Sequence, residues 1–231
     1  TSVPVECECL SMVGSITDIS YEICGGDLIN VSYDPTGEFL DGNDALNYIL
    51  YLGNLNDLAS IVVLAQNTTG VFGYDNLTMT FGEVYNVAAI VGNASGGLVE
   101  LNDACLAISA VVPAVFYEIP TASIVGSDTI CLGEETNVTI LFTGDPPYSI
   151  DIIEDAGGST NTINVTDVVS NTYTYTSAPS ENTTYSISNL TDENCIGTVS
   201  GTMEVIVNEA PVVNNVVETI NANNTDVTIT F

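Results

Sequence analysis

The chain repeats its own sequence, and this repetition constrains the fold more than any other feature. Residues 23–33 read ICGGDLINVSY and residues 130–140 read ICLGEETNVTI. Both copies fit the pattern I-C-x-G-[DE]-x-x-N-V-[ST], followed by an apolar residue. A segment that recurs at the spacing of a small domain indicates an array of similar structural units.

The repetition continues downstream of these two segments. Tyr85 begins a segment that corresponds to the one beginning at Tyr185, and a stretch with acidic residues and a cysteine follows each of them. A third copy begins after Pro211, but it carries Asn221 where the other copies have cysteine. The sequence therefore predicts a longer domain at 1–119, a second domain at 120–208, and the incomplete start of a third repeat at 209–231.

Short β-strands are predicted almost throughout the chain. Apolar and polar side chains alternate at residues 136–142, 173–176 and 185–188, and these runs are rich in Val, Ile, Thr and Tyr. Turn-forming residues separate the strands at intervals of about 8–12 residues, which is typical of a β-sandwich. The pattern predicts an all-β fold, and an additional hairpin around residues 34–60 would account for the greater length of the first domain.

The charge of the chain excludes whole classes of function. It contains no Lys, Arg or His and 30 Asp and Glu residues, so its formal net charge is −30. Contacts with nucleic-acid phosphates or with an anionic membrane surface need Lys or Arg. Histidine bases, lysine nucleophiles, arginine clamps and imidazole-bound zinc are excluded as well. Pairs of carboxylates remain, but no tryptophan offers a platform for sugars, and we expect no enzymatic activity.

The composition nevertheless predicts a folded chain. Hydrophobic residues make up 45% of it and the mean hydropathy is +0.33, which is unlike the low hydropathy of disordered proteins. No run of about 18 apolar residues predicts a membrane span, and no segment has the pattern of a signal peptide. Because the sequence begins and ends abruptly, we expect it to be a segment of a longer protein.

Six cysteines in a chain without histidine favour disulfides and an oxidising, extracellular compartment. Four of them occupy equivalent positions in the two repeats, so we expect equivalent cysteines to pair within each unit. The predicted disulfides are Cys24–Cys105 and Cys131–Cys195. Cys7 and Cys9 have no counterpart in the second repeat, and they bond each other, bond a preceding unit or rearrange the pairing.

The densest group of oxygen donors lies between residues 34 and 44. Calcium binds six to eight oxygens, which carboxylates, carbonyls and amides on a flexible loop supply. The candidate ligands are Asp34, Glu38, Asp41, Asn43 and Asp44. Their spacing does not match an EF-hand loop, so an ordinary solvated turn is the competing interpretation. Asp192 and Glu193, which lie close to Cys195, form a second and weaker candidate, and calcium is the only cofactor that the sequence suggests.

The tyrosines of the repeat allow two interpretations. Tyr85 and Tyr185 occupy equivalent positions, and a ligand contact is one interpretation. The one we favour is a tyrosine of the core or of a sandwich corner, with its hydroxyl bonded to the backbone. The chain also contains several N-x-[ST] sequences, which are glycan acceptors in a eukaryotic secretory pathway. These include Asn30, Asn67, Asn76, Asn137 and Asn189.

A longer stretch resembles a known class of repeat. Residues 129–150 read TICLGEETNVTILFTGDPPYSI, and this segment resembles the PKD-like, Ig-type repeats of giant Bacteroidetes surface proteins. In those repeats a Cys-x-Gly-[Asp/Glu] turn leads into a strand that ends Phe-Thr-Gly-x-x-Pro-aromatic. Residues 101–123 are similar to the unit boundary of the same proteins, which include gliding-motility adhesins exported by the type IX system.

The resemblance implies tandem Ig-like or PKD-like β-sandwich domains and an extracellular location at the cell surface. It also implies an adhesive or filament-forming role. Asp128-Thr129-Ile130 fits a short pattern that some Bacteroidetes O-glycosylate, which makes Thr129 the candidate glycosylation site.

Together these features predict a structural segment of a long extracellular adhesin or surface filament, built from acidic, protease-resistant spacer repeats. The expected partners are neighbouring repeats or subunits of the same filament, with surface glycans or other cells as candidate ligands. The alternative is a subunit of a polymerised pilus-like fibre, in which residues 209–231 complete the sandwich of a neighbour. A carboxylate-only hydrolase or a carbohydrate-binding module is a third interpretation, and it would require a cleft.

Overall fold

The computed structural model describes residues 9–54 and 60–209, together with two further strands, Val217–Ile220 and Val227–Thr230. All the regular elements in these residues are β-strands, so the prediction of an all-β fold is confirmed. The chain divides into two compact units, residues 1–119 and 120–231. Among the described residues, no helix has the length and apolar character needed to span a membrane.

The first unit consists of one large sheet and two short strand pairs. Its strands are β1 (Ser15–Ile16), β2 (Tyr21–Cys24), β3 (Ile29–Asn30), β4 (Tyr33–Asp34), β5 (Asp44–Leu52), β6 (Val62–Asn67), β7 (Val71–Phe72), β8 (Val84–Ser95), β9 (Leu98–Val99), β10 (Ala107–Ile108) and β11 (Val112–Tyr117). The large sheet has the order β2-β11-β8-β5-β6, and β9 and β10 also pair with β8. β1 pairs with β4 and β3 pairs with β7. β2 runs parallel to β11, whereas the other pairs of the large sheet are antiparallel.

Both faces of β8 are buried, so the sheet separates two apolar clusters. On one face Tyr85, Val87 and Ala89 belong to the larger cluster, with side chains from the short strands β1, β3 and β7. On the other face Ala88 and Ile90 belong to a smaller cluster with β5 and β9. A strand that is buried on both faces needs apolar residues at consecutive positions, which explains the continuous apolar run of β8.

A buried asparagine joins β5 to the hairpin of β8 and β9. Asn47 is fully buried, and its amide nitrogen donates to the carbonyl oxygens of Leu46 at 2.7 Å and Gly97 at 3.2 Å. Its Oδ1 accepts hydrogen bonds from Gln66 Nε2 at 2.8 Å and from the Val99 N–H at 3.0 Å. A buried amide is costly unless it is satisfied, and here both of its ends are. The sequence signal for this network is a single polar residue within the run Leu-Asn-Tyr-Ile-Leu.

The second unit is a β-sandwich of two sheets. Its strands are β12 (Thr121–Ile124), β13 (Gly126–Cys131), β14 (Thr136–Thr143), β15 (Tyr148–Ala156), β16 (Ser159–Val168), β17 (Thr172–Ser177), β18 (Thr183–Thr191), β19 (Thr198–Ser200) and β20 (Met203–Asn208). One sheet has the order β17-β14-β12-β19 and the other has the order β13-β20-β18-β15-β16. β14 alternates buried and exposed side chains over its whole length, so the predicted alternation at residues 136–142 is confirmed.

The first and last strands of this unit change sheets at the same level. β12 and β19 pair in parallel in one sheet, and after Gly126 and Gly201 their continuations β13 and β20 pair in parallel in the other. Both glycines have positive φ angles, +136° and +82°. A first strand that joins both sheets and runs parallel to the last strand gives the unit an Ig-like topology, as the sequence predicted.

The hairpin near the predicted residues 34–60 does not account for the additional length of the first unit. β4 ends at Asp34, and the long hairpin consists of β5 and β6, from Asp44 to Asn67. The second unit has a corresponding hairpin in β15 and β16. The additional chain of the first unit lies instead around β9 and β10, the short strands that precede its last strand.

The C-terminal part of the chain is described only at two strands. The backbones of β21 (Val217–Ile220) and β22 (Val227–Thr230) pair in antiparallel fashion. Residues 210–216, 221–226 and 231 lie outside the described residues. The incomplete third repeat at 209–231 therefore stays a prediction.

Candidate functional site

The structure pairs the cysteines differently from the prediction. Cys9 is bonded to Cys105, and their Cα atoms are 5.1 Å apart. Cys24 and Cys195 each take part in a disulfide. Cys131, by contrast, is a free and exposed thiol. The predicted disulfides Cys24–Cys105 and Cys131–Cys195 are therefore wrong. Of the two cysteines that had no predicted partner, one bonds within the first unit, and Cys7 lies outside the described residues.

The register of the first unit explains the first error. Cys24 lies opposite Tyr117 at the end of β11. Val115, two residues before Tyr117, pairs with Val84, the first residue of β8, so Cys24 lies beyond that end of β8. Cys105 leads into β10, which pairs with residues near the other end of β8. At about 3.3 Å per residue the two positions are roughly 30 Å apart, and a disulfide needs Cα atoms within about 7 Å.

The second unit repeats this geometry. Cys131 ends β13, opposite Asn208, five residues beyond the pairing of Gly126 with Met203. Met203 also pairs with Tyr185, and β18 runs from there in the opposite direction towards Cys195. The two cysteines of the repeat thus occupy equivalent positions in both units, but they lie at opposite ends of each unit.

A carboxylate orders the backbone beside the second cysteine of each unit. Asp103 accepts the N–H of Asn93 at 2.7 Å and that of Cys105 at 3.1 Å. These hydrogen bonds hold the pKa of Asp103 below its usual range. Asp192 Oδ1 accepts the N–H of Cys195 at 2.7 Å. Asp192, which belonged to the weaker calcium candidate with Glu193, therefore stabilises a turn in the same way as Asp103.

Three carboxylates of the main calcium candidate take part in local hydrogen bonds. Asp34 Oδ1 accepts the N–H and the hydroxyl of Thr36, at 2.9 and 2.8 Å, and Glu38 accepts the hydroxyl of Tyr33. Asp44 Oδ2 accepts the N–H of Asp41 at 3.3 Å. The described residues contain no group of three or more acidic, cysteine or histidine side chains that could hold a metal ion. This arrangement gives no support to calcium at Asp34, Glu38, Asp41, Asn43 and Asp44, because local turns and a tyrosine use the carboxylates of Asp34, Glu38 and Asp44, and the calcium site stays a prediction.

Thr129 lies in β13 with an exposed side chain. Its N–H donates to Asp128 Oδ1 at 2.8 Å, and Asp128 Oδ2 accepts the hydroxyl of Thr136 at 2.6 Å. The acidic residue of the three-residue pattern thus orders the backbone next to an accessible hydroxyl. O-glycosylation of Thr129 stays a prediction.

The two equivalent tyrosines are core residues. Tyr85 and Tyr185 are buried to 1% and 0% exposure. The Tyr85 hydroxyl donates to the Thr80 carbonyl oxygen at 3.1 Å and accepts the Thr80 N–H at 2.6 Å, which is the corner arrangement that the sequence predicted. The Tyr185 hydroxyl instead donates to Ser177 Oγ at 2.9 Å.

The tyrosines are the main side chains that titrate at alkaline pH, because the chain has no Lys or Arg. Burial raises the pKa of Tyr51 to about 12, and it is also the largest cause of a raised pKa at Tyr21, Tyr33, Tyr48, Tyr85, Tyr175 and Tyr185. A raised pKa in the folded state stabilises the fold below the unfolded value of about 10, and this contribution is lost as the pH rises through the folded value.

We therefore expect these seven of the eleven tyrosines to ionise well above pH 10, together with unfolding close to pH 12. Absorbance at 295 nm and far-ultraviolet circular dichroism, recorded on the same samples, would measure the two processes. No Lys or Arg side chain titrates in this range, because the chain contains neither residue. Ionisation of all the tyrosines near pH 10 in a chain that keeps its β-sheet signal would contradict the prediction.

Two cavities in the described residues differ in polarity. Glu154 and Glu181 both line a polar cavity of about 290 Å³ in the second unit. Glu154 accepts the hydroxyls of Tyr175 and Ser177, each at 3.1 Å, and Asn161 Nδ2 at 2.9 Å. Its carboxylate is thus engaged in the structure of the sheet. A second cavity, of about 220 Å³ in the first unit, is lined only by aliphatic side chains.

The sequence matches no protein-family model and no curated protein. Several solved structures are similar in fold. An I-band fragment of titin is 10% identical, covers 85% of this chain and 65% of its own, and has a TM-score of 0.40. A D1–D4 ectodomain fragment of ICAM-5 is 11% identical, covers 89% and 55%, and has a TM-score of 0.40. The FN1–FN3 domains of chicken CNTN1 are 13% identical, cover 85% and 68%, and have a TM-score of 0.34. At these values the similarities support no functional inference, and the Ig-like assignment rests on the strand topology described above.

Proposed function

We propose that this chain is a load-bearing structural segment of an extracellular adhesin or surface filament. The observation that carries the proposal is the parallel pairing of an early strand of each unit with its last strand. β2 pairs with β11 over four residues, and β13 pairs with β20 over six. Both units therefore have the same arrangement of an early strand beside the last strand. β2 lies inside the loop that the Cys9–Cys105 disulfide closes, so its pair with β11 bears tension when that disulfide is reduced, and the disulfide bears it otherwise.

Parallel terminal strands resist tension for a geometrical reason. When a unit is pulled by its two ends, such strands slide past each other along their length. All the hydrogen bonds between them are then loaded at the same time, whereas a hairpin pulled open from one end loses its bonds one after another. In the second unit, β12 and β19 add a further parallel pair in the other sheet.

Covalent bonds and composition support the same role. The Cys9–Cys105 disulfide encloses 96 residues of the first unit, and disulfides are typical of oxidising, extracellular compartments. A chain without Lys or Arg has no site for trypsin-like proteases. Its net charge of −30 keeps copies soluble and separate by mutual repulsion. The composition also excludes catalysis by His, Lys or Arg, which agrees with a structural role.

We also propose a more specific class of protein for this chain. The sequence resemblance supports tandem PKD-like repeats of a Bacteroidetes cell-surface adhesin, with neighbouring repeats as partners and with glycans or other cells as candidate ligands. The alternative, a pilus-like subunit that donates a strand from residues 209–231, receives less support. That role needs a strand free to pair with a neighbour, and the backbones of β21 and β22 pair with each other.

Single-molecule force spectroscopy on the chain, held by its two ends, tests the load-bearing role. In reducing buffer we expect two separate unfolding events at forces well above those of a domain whose terminal strands form a hairpin. In oxidising buffer the total extension should be shorter by at least the 96 residues enclosed by Cys9–Cys105, which amounts to roughly 330 Å. A Cys131→Ser variant is the matched control, because it removes an exposed thiol without removing a disulfide. Gradual extension without distinct events in reducing buffer would contradict the proposal.

A further inference from the structure

One face of the second unit carries no charge, in a chain that is otherwise strongly acidic. The sheet β17-β14-β12-β19 contains no Asp or Glu at any position of its four strands. The other sheet of the same unit contains acidic residues in β13, β15, β16 and β20. Charge is thus distributed unequally between the two sides of the sandwich.

The outward side chains of the uncharged sheet are nearly all hydroxyl-bearing, and we call them the threonine face. They are Thr121, Ser123, Asn137, Thr139, Leu141, Thr143, Thr172, Thr174, Thr176, Thr198 and Ser200. They form rows across the strands, because Thr139 lies opposite Thr174 and Leu141 lies opposite Thr172. Leu141 is 49% exposed, which places an apolar side chain within the face.

We propose that the threonine face is a lateral docking surface for a second copy of this chain. Two copies cannot form an ion pair between side chains, because neither has a Lys, Arg or His. Any contact between acidic faces brings like charges together, and such contacts are strongly unfavourable. Two threonine faces can meet without this penalty, with threonine methyl groups and Leu141 in the contact and with hydroxyls that can donate and accept.

The charges that remain near this contact are at its ends and behind it. Glu135 precedes β14 and Asp145 follows it, so they lie at the two ends of the face. Two carboxylates of the opposite sheet lie directly behind the face, because Asp128 accepts the hydroxyl of Thr136 in β14 and Glu154 accepts two hydroxyls of β17. The screening length is about 8 Å at physiological ionic strength and about 3 Å at 1 M salt. Salt should therefore strengthen this association, contrary to its effect on ion pairs.

The size of the face indicates a weak contact. Four strands about 4.8 Å apart, with rows about 6.7 Å apart, give an area on the order of 400 Å². A stable interface buries about 800 Å² on each partner. A single pair of units should therefore associate only at millimolar concentration. In a filament of many repeats, which is the role proposed above and on which this consequence rests, parallel contacts would add through multivalency.

A glycan is a poorer occupant of this face. Tyr173 and Tyr175 alternate with the exposed threonines of β17 and pack towards the core, so no aromatic ring is available there for stacking on a sugar. The cavities of the second unit are lined by other residues, such as Glu154 and Glu181 in one case and Leu132 and Val207 in the other. A flat and neutral surface fits another flat and neutral surface better than it fits a single sugar chain.

NMR spectra of the intact 231-residue chain, recorded from micromolar to millimolar concentration in 0.15 M and 1 M NaCl, test the proposal. We expect concentration-dependent shifts confined to β12, β14, β17 and β19, with a smaller Kd at 1 M salt. Thr139→Glu should weaken the association at least about tenfold, because it places like charges in contact. Thr162→Glu is the matched control, because Thr162 is an exposed residue of the acidic sheet, and it should leave Kd unchanged.

Two results would overturn the proposal. The first is a chain that stays monomeric at millimolar concentration in both salts. The second is an association that Thr162→Glu weakens as much as Thr139→Glu. Shifts at these strands on addition of neutral oligosaccharides, without any self-association, would assign the face to a glycan instead. Because none of these measurements applies force, their failure is distinguishable from failure of the load-bearing role.

Discussion

Replacing both Cys9 and Cys105 by serine is expected to lower the free energy of unfolding of the first unit by about 4.7 kcal/mol. The bond closes a loop of 96 residues, and in the chain-entropy treatment a loop of about 100 residues contributes this much by restricting the unfolded chain. The double substitution leaves neither thiol free to form a new pair. Urea unfolding followed by hydrogen exchange of peptides from β5 and β8 would report on this unit alone.

Cys131→Ser is the control for this experiment, and it should change the stability by less than about 0.5 kcal/mol, as exposed substitutions do. The pairing itself can be read by digestion at glutamate under non-reducing conditions. Cleavage after Glu places Cys9 in peptide 9–22, Cys24 in peptide 23–38 and Cys105 in peptide 101–118. We expect 9–22 linked to 101–118. A link between 23–38 and 101–118 would restore the pairing that the repeat alone suggests.

Gly201→Ala is expected to destabilise the second unit by about 3 kcal/mol. A Cβ at this position would lie 1.9 Å from the carbonyl oxygen of Ile124, and the φ angle of +82° is one that side chains other than glycine rarely adopt. Relief would require the backbone to move where β12 passes into β13 and β19 into β20, so both pairs of parallel strands would be disturbed. Strained backbone and overpacking each cost about 1–3 kcal/mol.

Gly133→Ala separates the two causes. Gly133 has a similar φ of +94°, but no atom lies within 4 Å of a Cβ built there. It should therefore show only the backbone cost, about 1.5 kcal/mol. Hydrogen exchange of peptides from β14 and β18 would measure both variants in the intact chain. Equal losses for the two variants would mean that the close approach to Ile124 has no energetic consequence.

The sequence pattern was sufficient where local rules decide the structure. The alternation of β14 follows directly from the period of two of a strand with one buried face. The corner hydrogen bonds of Tyr85 follow from its place before an apolar strand. The repeat correctly indicated which positions correspond between the units, including the positions of the cysteines.

Other features depended on distances that the sequence does not encode. The equivalence of two cysteines does not reveal that long strands such as β8 keep them at opposite ends of the unit. The carboxylates at residues 34–44 are close in sequence, but turns and Tyr33 use them individually. Asn47 is a single polar residue in an apolar strand. Its four hydrogen-bond partners come from β5, β6 and the hairpin of β8 and β9. The threonine face emerged only when the register aligned four separate segments.

The position of β8 between two apolar clusters has a consequence for how the first unit melts. Each cluster takes alternate side chains from this one strand, and Asn47 binds the neighbouring strand to the chain that covers the smaller cluster. The loss of β8 exposes both clusters at once. The first unit should therefore behave as a single cooperative element, either fully folded or fully open, with no intermediate in which only one of its two cores has dissolved.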